Sequence, residues 1–380
     1  MQIRSFLAVG AVALAACADD QPTAPVTSSL SPNLSQAEQS VGGVFVSTNG
    51  ADGNAVVAYA RAANGTLGYT GTFATGGVGI GGVADPLASQ FALALSDNAK
   101  LLVVVNAGSN DVSSFAVDGG HLTLIDRASS GGTRPVSVAI SQGIVYVLNS
   151  VSNTIGVLSI GNDGDLTALP GRTKALAAGA NGAAEVRVSP NGRVLVVSER
   201  VSNRLEAFAV GDDGALGDAV ITPAAGVTPF GFDFTPRGQP IVSEAGSGSA
   251  SSYTINADLT LSAVSAAAPT LQRAVCWLIV DNSGRFAYTA NAASATITGF
   301  AIAASGELTR LTDSGVSAAL GAGAGPLDLD MSRNGKFLYV FKNGAGTIGG
   351  FAVANDGSLT AMPDTPGLAV AAGYMGLAAY

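Results

Sequence analysis

From residue 41 to the C-terminus the chain is built from short apolar runs with a period of two, not of a helix. In AEVRVSP (184–190), Val186 and Val188 point one way and Glu185 and Arg187 the other, as on a half-buried strand. Each unit reads in three parts. An inner apolar strand runs into a turn such as SPNG (189–192), DNSG (281–284) or SRNG (332–335). A second strand ends in Asn or Glu. A hairpin with Gly in its turn follows, as in FAVGDDGAL (208–216).

The second part counts the units: VFVSTN (44–49), LVVVN (102–106), VYVLN (145–149), VLVVSE (194–199), PIVSE (240–244), FAYTAN (286–291) and FLYVFKN (337–343). These strands end at Asn49, Asn106, Asn149, Glu199, Glu244, Asn291 and Asn343, at intervals of 57, 43, 50, 45, 47 and 52 residues. The hairpin glycines repeat in step at Gly65, Gly120, Gly164, Gly214, Gly306 and Gly357, with Ala257-Asp258-Leu259 in the fifth unit instead. A period near 50 residues with four short strands per unit predicts an all-β, seven-bladed β-propeller over residues 41–380. Six inner strands are visible: 91–96, 135–140, 183–189, 229–235, 276–281 and 326–332. The copy at 44–49 has none ahead of it, so YMGLAAY (374–380) is expected to supply it. The C-terminal strand would then close the ring on the N-terminal blade and remove an open sheet edge.

The first 40 residues break the pattern. Arg4 precedes an apolar stretch from Phe6 to Ala16, which is shorter than the ~20 residues that span a bilayer. It ends in Leu14-Ala15-Ala16-Cys17, which resembles the lipobox of bacterial lipoproteins, so residues 1–17 read as a signal peptide with Cys17 as the lipidated residue. Residues 18–40, rich in Pro, Ser, Thr and acid, read as a disordered tether. The expectation is an exported, lipid-anchored domain of the cell envelope, periplasmic or outer-membrane-associated, touching membrane only through Cys17, and monomeric.

Composition agrees with many strands and tight turns. There are 50 glycines in 380 residues, nearly double the usual ~7% share. The formal net charge is −9, which repels phosphate backbones and argues against a nucleic-acid partner. Beyond Cys17 only Cys276 remains, within an apolar run that points to a buried, inert thiol.

Strand order sorts the loops of such a ring. With strands a to d named from the axis outward, the a–b and c–d turns lie on one face, called the bottom. The b–c loops and the d–a approaches lie on the top, at the mouth of the central channel. Charged groups expected there are Arg134, Glu185, Glu199, Glu244, Arg273 and Asp328. Phe230 and Trp277 supply an apolar wall, and Asn106, Asn149, Asn291 and Asn343 supply hydrogen bonds. Arg134 and Arg273 would polarise a carbonyl and hold an oxyanion, and Glu199 or Glu244 would deprotonate water if burial raised its pKa. The competing reading is that strand-end Asn and Glu cap turns and that the arginines are solvated. The one histidine, His121, falls in a bottom turn, so no Ser-His-Asp triad forms at the mouth. No His/Cys cluster is spaced for zinc, and no cofactor or metal is expected.

The repeats at 183–216 and 286–311 resemble the β-propeller lactonase family, which includes propeller-type 6-phosphogluconolactonases and carboxymuconate-lactonising enzymes. The resemblance covers residues 41–380. It implies an active site built from strand-b endings of the Asn-Glu type, matched by Ser198-Glu199 and Ser243-Glu244. It also implies Arg or His at the strand-a approaches, matched by Arg134 and Arg273, with no His in any of the seven. Because sugar phosphates are cytoplasmic and this chain reads as exported, the expected reaction is hydrolysis of a non-phosphorylated lactone. The alternative is a non-catalytic ligand- or protein-binding scaffold.

Overall fold

The computed structural model describes residues 40–380. The expected signal peptide, Cys17 and nearly all of the expected tether lie outside the described residues. The described residues form seven antiparallel sheets and no helix. The protein is a seven-bladed β-propeller. The inner strands are Met375–Ala379, Leu93–Leu95, Pro135–Ser141, Ala183–Val188, Pro229–Phe234, Val275–Val280 and Pro326–Met331, taken in order from blade 1 to blade 7.

Blade 1 closes as the repeat demands. The C-terminal strand pairs antiparallel with Gly42–Ser47, placing Val44 opposite Ala379 and Val46 opposite Leu377. Tyrosines in strand b tie neighbouring blades at their hairpins. Tyr146 donates to the Gly214 carbonyl at 3.1 Å, Tyr288 to Gly357 at 2.8 Å and Tyr339 to Gly65 at 2.7 Å. In the fifth hairpin, which lacks the repeat glycine, Leu259 occupies its place with φ 67°. That left-handed conformation suits Gly and strains Leu.

One register differs from the sequence reading. In blade 7 the residue paired as Asn291 and Glu199 are paired is Lys342, opposite Thr347, and Asn343 lies just beyond the strand. The Lys342 ammonium bonds Asp364 at 2.6 Å and the Leu320 carbonyl at 3.4 Å.

The axis has its own logic. Each innermost strand exposes one edge to the channel, and its unpaired N–H groups need acceptors. Side chains of the preceding blade provide them. Ser137 accepts from Val186 N–H at 3.2 Å, Glu185 from Phe232 at 2.7 Å and Asp233 from Val280 at 3.1 Å. Asp328 and Asp330 accept from Leu377 at 3.2 Å and Ala379 at 2.8 Å. Acidic residues therefore line the axis for a structural reason.

Candidate functional site at the channel mouth

The mouth is not an open cavity ringed by strand ends. It is filled by residues 79–91, the long approach to blade 2. Gly81 N–H bonds Asn49 O of blade 1 at 2.8 Å, and Ser89 Oγ donates to Val136 O of blade 3 at 2.8 Å. Gln90 N–H reaches Ala184 O of blade 4 at 3.3 Å. The Gln90 amide crosses the axis to blade 6, donating to Leu278 O at 2.8 Å and accepting from Leu278 N–H at 2.9 Å. Trp277 Nε1 donates to Ser89 O at 3.0 Å, and Phe91 N–H reaches Asp328 of blade 7 at 3.3 Å. Blade 5 makes room, since a Cβ at Gly231 would collide with Gln90 Oε1. Asp85, Ala88 and Phe91 all hold positive φ, at 45°, 52° and 55°.

Gly231→Ala is therefore expected to push Gln90 off Leu278 and loosen this plug. Trp277 is the only Trp, so acrylamide quenching of its fluorescence reports the change. Quenching equal to wild type would show that the plug does not depend on Gly231.

The residues singled out from sequence separate by environment. Asn106, Asn149, Glu199, Glu244 and Asn291 are buried and tie each b–c loop to its own hairpin or to the preceding approach. Asn106 accepts from Thr75 Oγ1 at 2.7 Å, and Asn149 donates to Ser130 O at 3.0 Å. Asn291 donates to Thr298 Oγ1 at 2.9 Å. Glu199 is held by Arg204 Nε at 3.1 Å, Asn181 N–H at 3.1 Å and Ser202. Glu244 accepts from Gly226 N–H, Ser249 and Ser251, each at 2.6 Å. Asn343, off the strand, donates to Val83 O of the plug at 3.3 Å. Glu185 and Asp328 are fully buried acceptors at the axis, not groups on an open mouth. Arg134 and Arg273 are exposed, in blades 3 and 6, and neither forms an ion pair among the described residues. The four expected catalytic residues thus do not form one cluster, because packing consumes both glutamates inside their own blades.

Phe230 and Trp277 do meet, edge to face at 5.4 Å, and are 3% and 1% exposed. They form the apolar base of a different polar group. Arg200 follows strand b of blade 4 and sits over the Phe230 ring at 5.6 Å. Asp85, carried by the plug, couples electrostatically to Arg200. Burial pushes the Asp85 carboxyl up to about 7, against the opposing pull of Arg200 and the N–H groups of Ser89 and Ala88. Asp85 Oδ1 and Arg200 Nε are both buried without a hydrogen-bond partner. Burial pushes the Cys276 thiol up to about 12, so it is no nucleophile near neutral pH.

A cavity of about 240 Å³ lies at the bottom of the axis, lined by Phe91, Arg187, Asp233, Ile279, Asp330 and Tyr380. Arg187 bonds Asp233 at 2.5 Å and lies over Phe91 at 4.1 Å. Burial pushes Asp330 up to about 7. Both oxygens of Asp330 accept backbone N–H groups, from Met331 at 2.7 Å and Ala379 at 2.8 Å, and both of Asp233 are engaged as well. Among the described residues two carboxylates keep a buried oxygen without a hydrogen-bond partner, Asp85 Oδ1 at the mouth and Glu185 Oε1 at the axis. The latter is fully enclosed and stands 4.0 Å from Arg187 Nε, which leaves Asp85 as the candidate base at the mouth. Among the described residues no group of three or more His, Cys, Asp or Glu is placed to hold a metal ion.

The family described as Lactonase, 7-bladed beta-propeller matches residues 53–176, 139–276 and 278–369. The chain belongs to this family. Curated relatives named 6-phosphogluconolactonase, from Yersinia pestis (strain Pestoides F) and Serratia proteamaculans (strain 568), are 28% identical over 121 and 122 residues. Those matches cover 31% of this chain and 36% and 37% of the relatives, so the chain spans about a third of their length. A solved structure of a putative 6-phosphogluconolactonase from Bacteroides fragilis superposes with a TM-score of 0.71 at 19% identity, covering 92% of this chain and all of that one. The periplasmic gluconolactonase of Pseudomonas aeruginosa superposes with a TM-score of 0.67 at 17% identity, covering 89% and 98%. These structures share the fold.

In this member of the family, Glu199 and Glu244, which carry the sequence resemblance, are held by hydrogen bonds from their own blades and the approaches beside them. Asp85 and Arg200 escaped the sequence reading. Asp85 stands in GGVADPLASQ (81–90), part of the approach to blade 2, the longest of the seven. Arg200 directly follows Glu199. The unusual length of that approach was the available signal, since long loops in a compact domain are commonly functional.

Proposed function

We propose that the protein hydrolyses a non-phosphorylated lactone at the mouth, with Asp85 as general base and Arg200 as the carbonyl-polarising group. The observation that carries this reading is the pair of buried, partnerless atoms, Asp85 Oδ1 and Arg200 Nε, on electrostatically coupled side chains. A carboxyl poised near neutrality is matched to proton abstraction from water. The hydroxide formed adds to the lactone carbonyl. Arg200 stabilises the oxyanion, the ring C–O bond breaks, and the proton held by Asp85 passes to the leaving alkoxide. The product is a hydroxy acid, so turnover releases acid.

A lactone panel read by acid release tests this. For the wild type, kcat/KM is expected to rise with pH through about 7 as Asp85 ionises. Asp85→Asn is expected to lower it by roughly 10²–10⁴-fold and flatten the profile. Arg200→Ala is expected to cost roughly 10²–10³-fold. Wild-type activity in Asp85→Asn would overturn the assignment. A second reading, a binding propeller without turnover, draws support from the plug, whose bonds to the other blades cover the channel. It predicts saturable ligand binding with no acid released.

A further inference from the structure

Large apolar side chains exposed on this protein are unevenly placed. Among the described residues, Val83, Val151, Val201, Val227, Leu271 and Val370 are exposed, and all six lie in b–c loops or d–a approaches on the top face. The other exposed ones are Val41, ahead of the first strand, and Leu124, Ile221 and Val264 on outer strands. Clustered exposed apolar side chains mark a recognition surface, whereas scattered ones do not. Three of the six are chain neighbours of residues in the proposed site. Val83 is two residues from Asp85, Val201 adjoins Arg200, and Val227 is three residues from Phe230. They are 64%, 61% and 56% exposed.

The polar groups at the mouth point the same way. The Gln90 amide is committed to Leu278 in both directions, and Trp277 Nε1 to Ser89. Neither is free to hold the hydroxyls of a sugar ring. Asp85, when ionised, offsets the charge of Arg200, so a phosphate or carboxylate substituent would have to turn to the exposed Arg134 and Arg273 of blades 3 and 6.

On the reading that Asp85 and Arg200 open a lactone, we propose that the substrate is a lactone ring carrying a hydrocarbon substituent, which lies across Val83, Val201 and Val227. The catalytic pair takes the ring, and the valine rim takes the chain.

A matched series tests this: γ-butyrolactone against the same ring bearing propyl, pentyl and heptyl chains. On a half-open apolar rim, each CH₂ is expected to raise kcat/KM by about twofold, roughly half of full burial. In the combined variant Val83→Ser, Val201→Ser, Val227→Ser, the ratio of heptyl to unsubstituted substrate is expected to collapse toward one. Calorimetric binding of the heptyl lactone to Asp85→Asn reports recognition without turnover, and sedimentation reports whether the variant still folds and whether the wild type self-associates. Hydrolysis with no dependence on chain length would overturn this inference and leave the catalytic reading standing. Chain-length-dependent binding with no hydrolysis of any lactone would uphold the rim and overturn the catalytic reading. Self-association that the triple substitution abolishes would give the rim to a second copy and overturn the inference.

Discussion

A chain ending at Gly373 is expected to lose its cooperative thermal transition, not merely melt a few degrees lower. The deleted strand Met375–Ala379 is buried along its length and forms the innermost layer of blade 1. Its loss removes the buried Met375 and Leu377 from the core and exposes Val44 and Val46, against which the strand is registered. Burial of such side chains contributes about 1.5–3 kcal/mol each. Asp328 and Asp330 also lose the N–H donors Leu377 and Ala379, leaving buried acceptors less well satisfied at about 1–3 kcal/mol apiece. Tyr380, which stacks on Phe45 at 6.2 Å and donates to Gly119 O of blade 2 at 2.8 Å, goes as well. The sum rivals the whole stability of a typical domain, about 5–15 kcal/mol. It falls at the one joint where the chain ends hold the ring shut. Circular dichroism melts of the full and shortened chains decide the matter. An unchanged sharp transition would mean that the ring does not depend on this closure.

Stability is expected to be greater at pH 5 than at pH 8, the reverse of ordinary acid denaturation. Burial raises the carboxyls of Asp85, Glu206 and Asp330 to about 7 and of Asp328 to about 8, and it holds Glu185 well up too. Unfolded, such groups titrate near 4. Between about pH 4 and 8 the folded protein therefore binds more protons than the unfolded chain, so unfolding free energy falls as pH rises through that window. The stabilisation is fully present below pH 4 for these groups and is lost through pH 7 to 8. Depressed acids oppose it only weakly, because Asp213, Asp218, Asp258 and Asp356 lie at the surface. Melting temperatures measured across pH 5, 6, 7 and 8 should decline steadily. The step should shrink in Asp328→Asn, which removes the group raised to about 8. A melting temperature that climbs with pH would show that the axial acids are ionised without cost.

The architecture was readable because propeller structure is local in sequence. Alternation in AEVRVSP specified a strand, SPNG a turn, and five of the six hairpin glycines a left-handed residue, with Gly119 taking that place beside Gly120 in blade 2. Seven copies then counted the blades. The single slip, Asn343 for Lys342, arose because Asn is a common ending for these strands and lies one residue past the pairing in blade 7. Ring closure was readable by subtraction: one strand b lacked an inner neighbour, and one apolar segment was left over.

The site was far less legible. A Glu at the end of strand b looks the same in sequence whether it faces a channel or its own hairpin. Glu199 is consumed by Arg204 and Glu244 by Ser249 and Ser251, partners only five or seven residues away that become neighbours once the b–c loop turns back. Whether the mouth stays open depended on residues 79–91, whose role rests on contacts with backbone and side-chain groups from all around the ring. Sequence by itself determined the blades, their number and the strand that closes them, because those follow from hydrogen bonds and turn geometry within a few residues. Only the tertiary structure decided which acidic groups keep a free oxygen, because at the axis seven strands converge and each buried carboxylate pairs with whichever backbone donors reach it. Asp85 at the mouth and Glu185 at the axis are each left short of one.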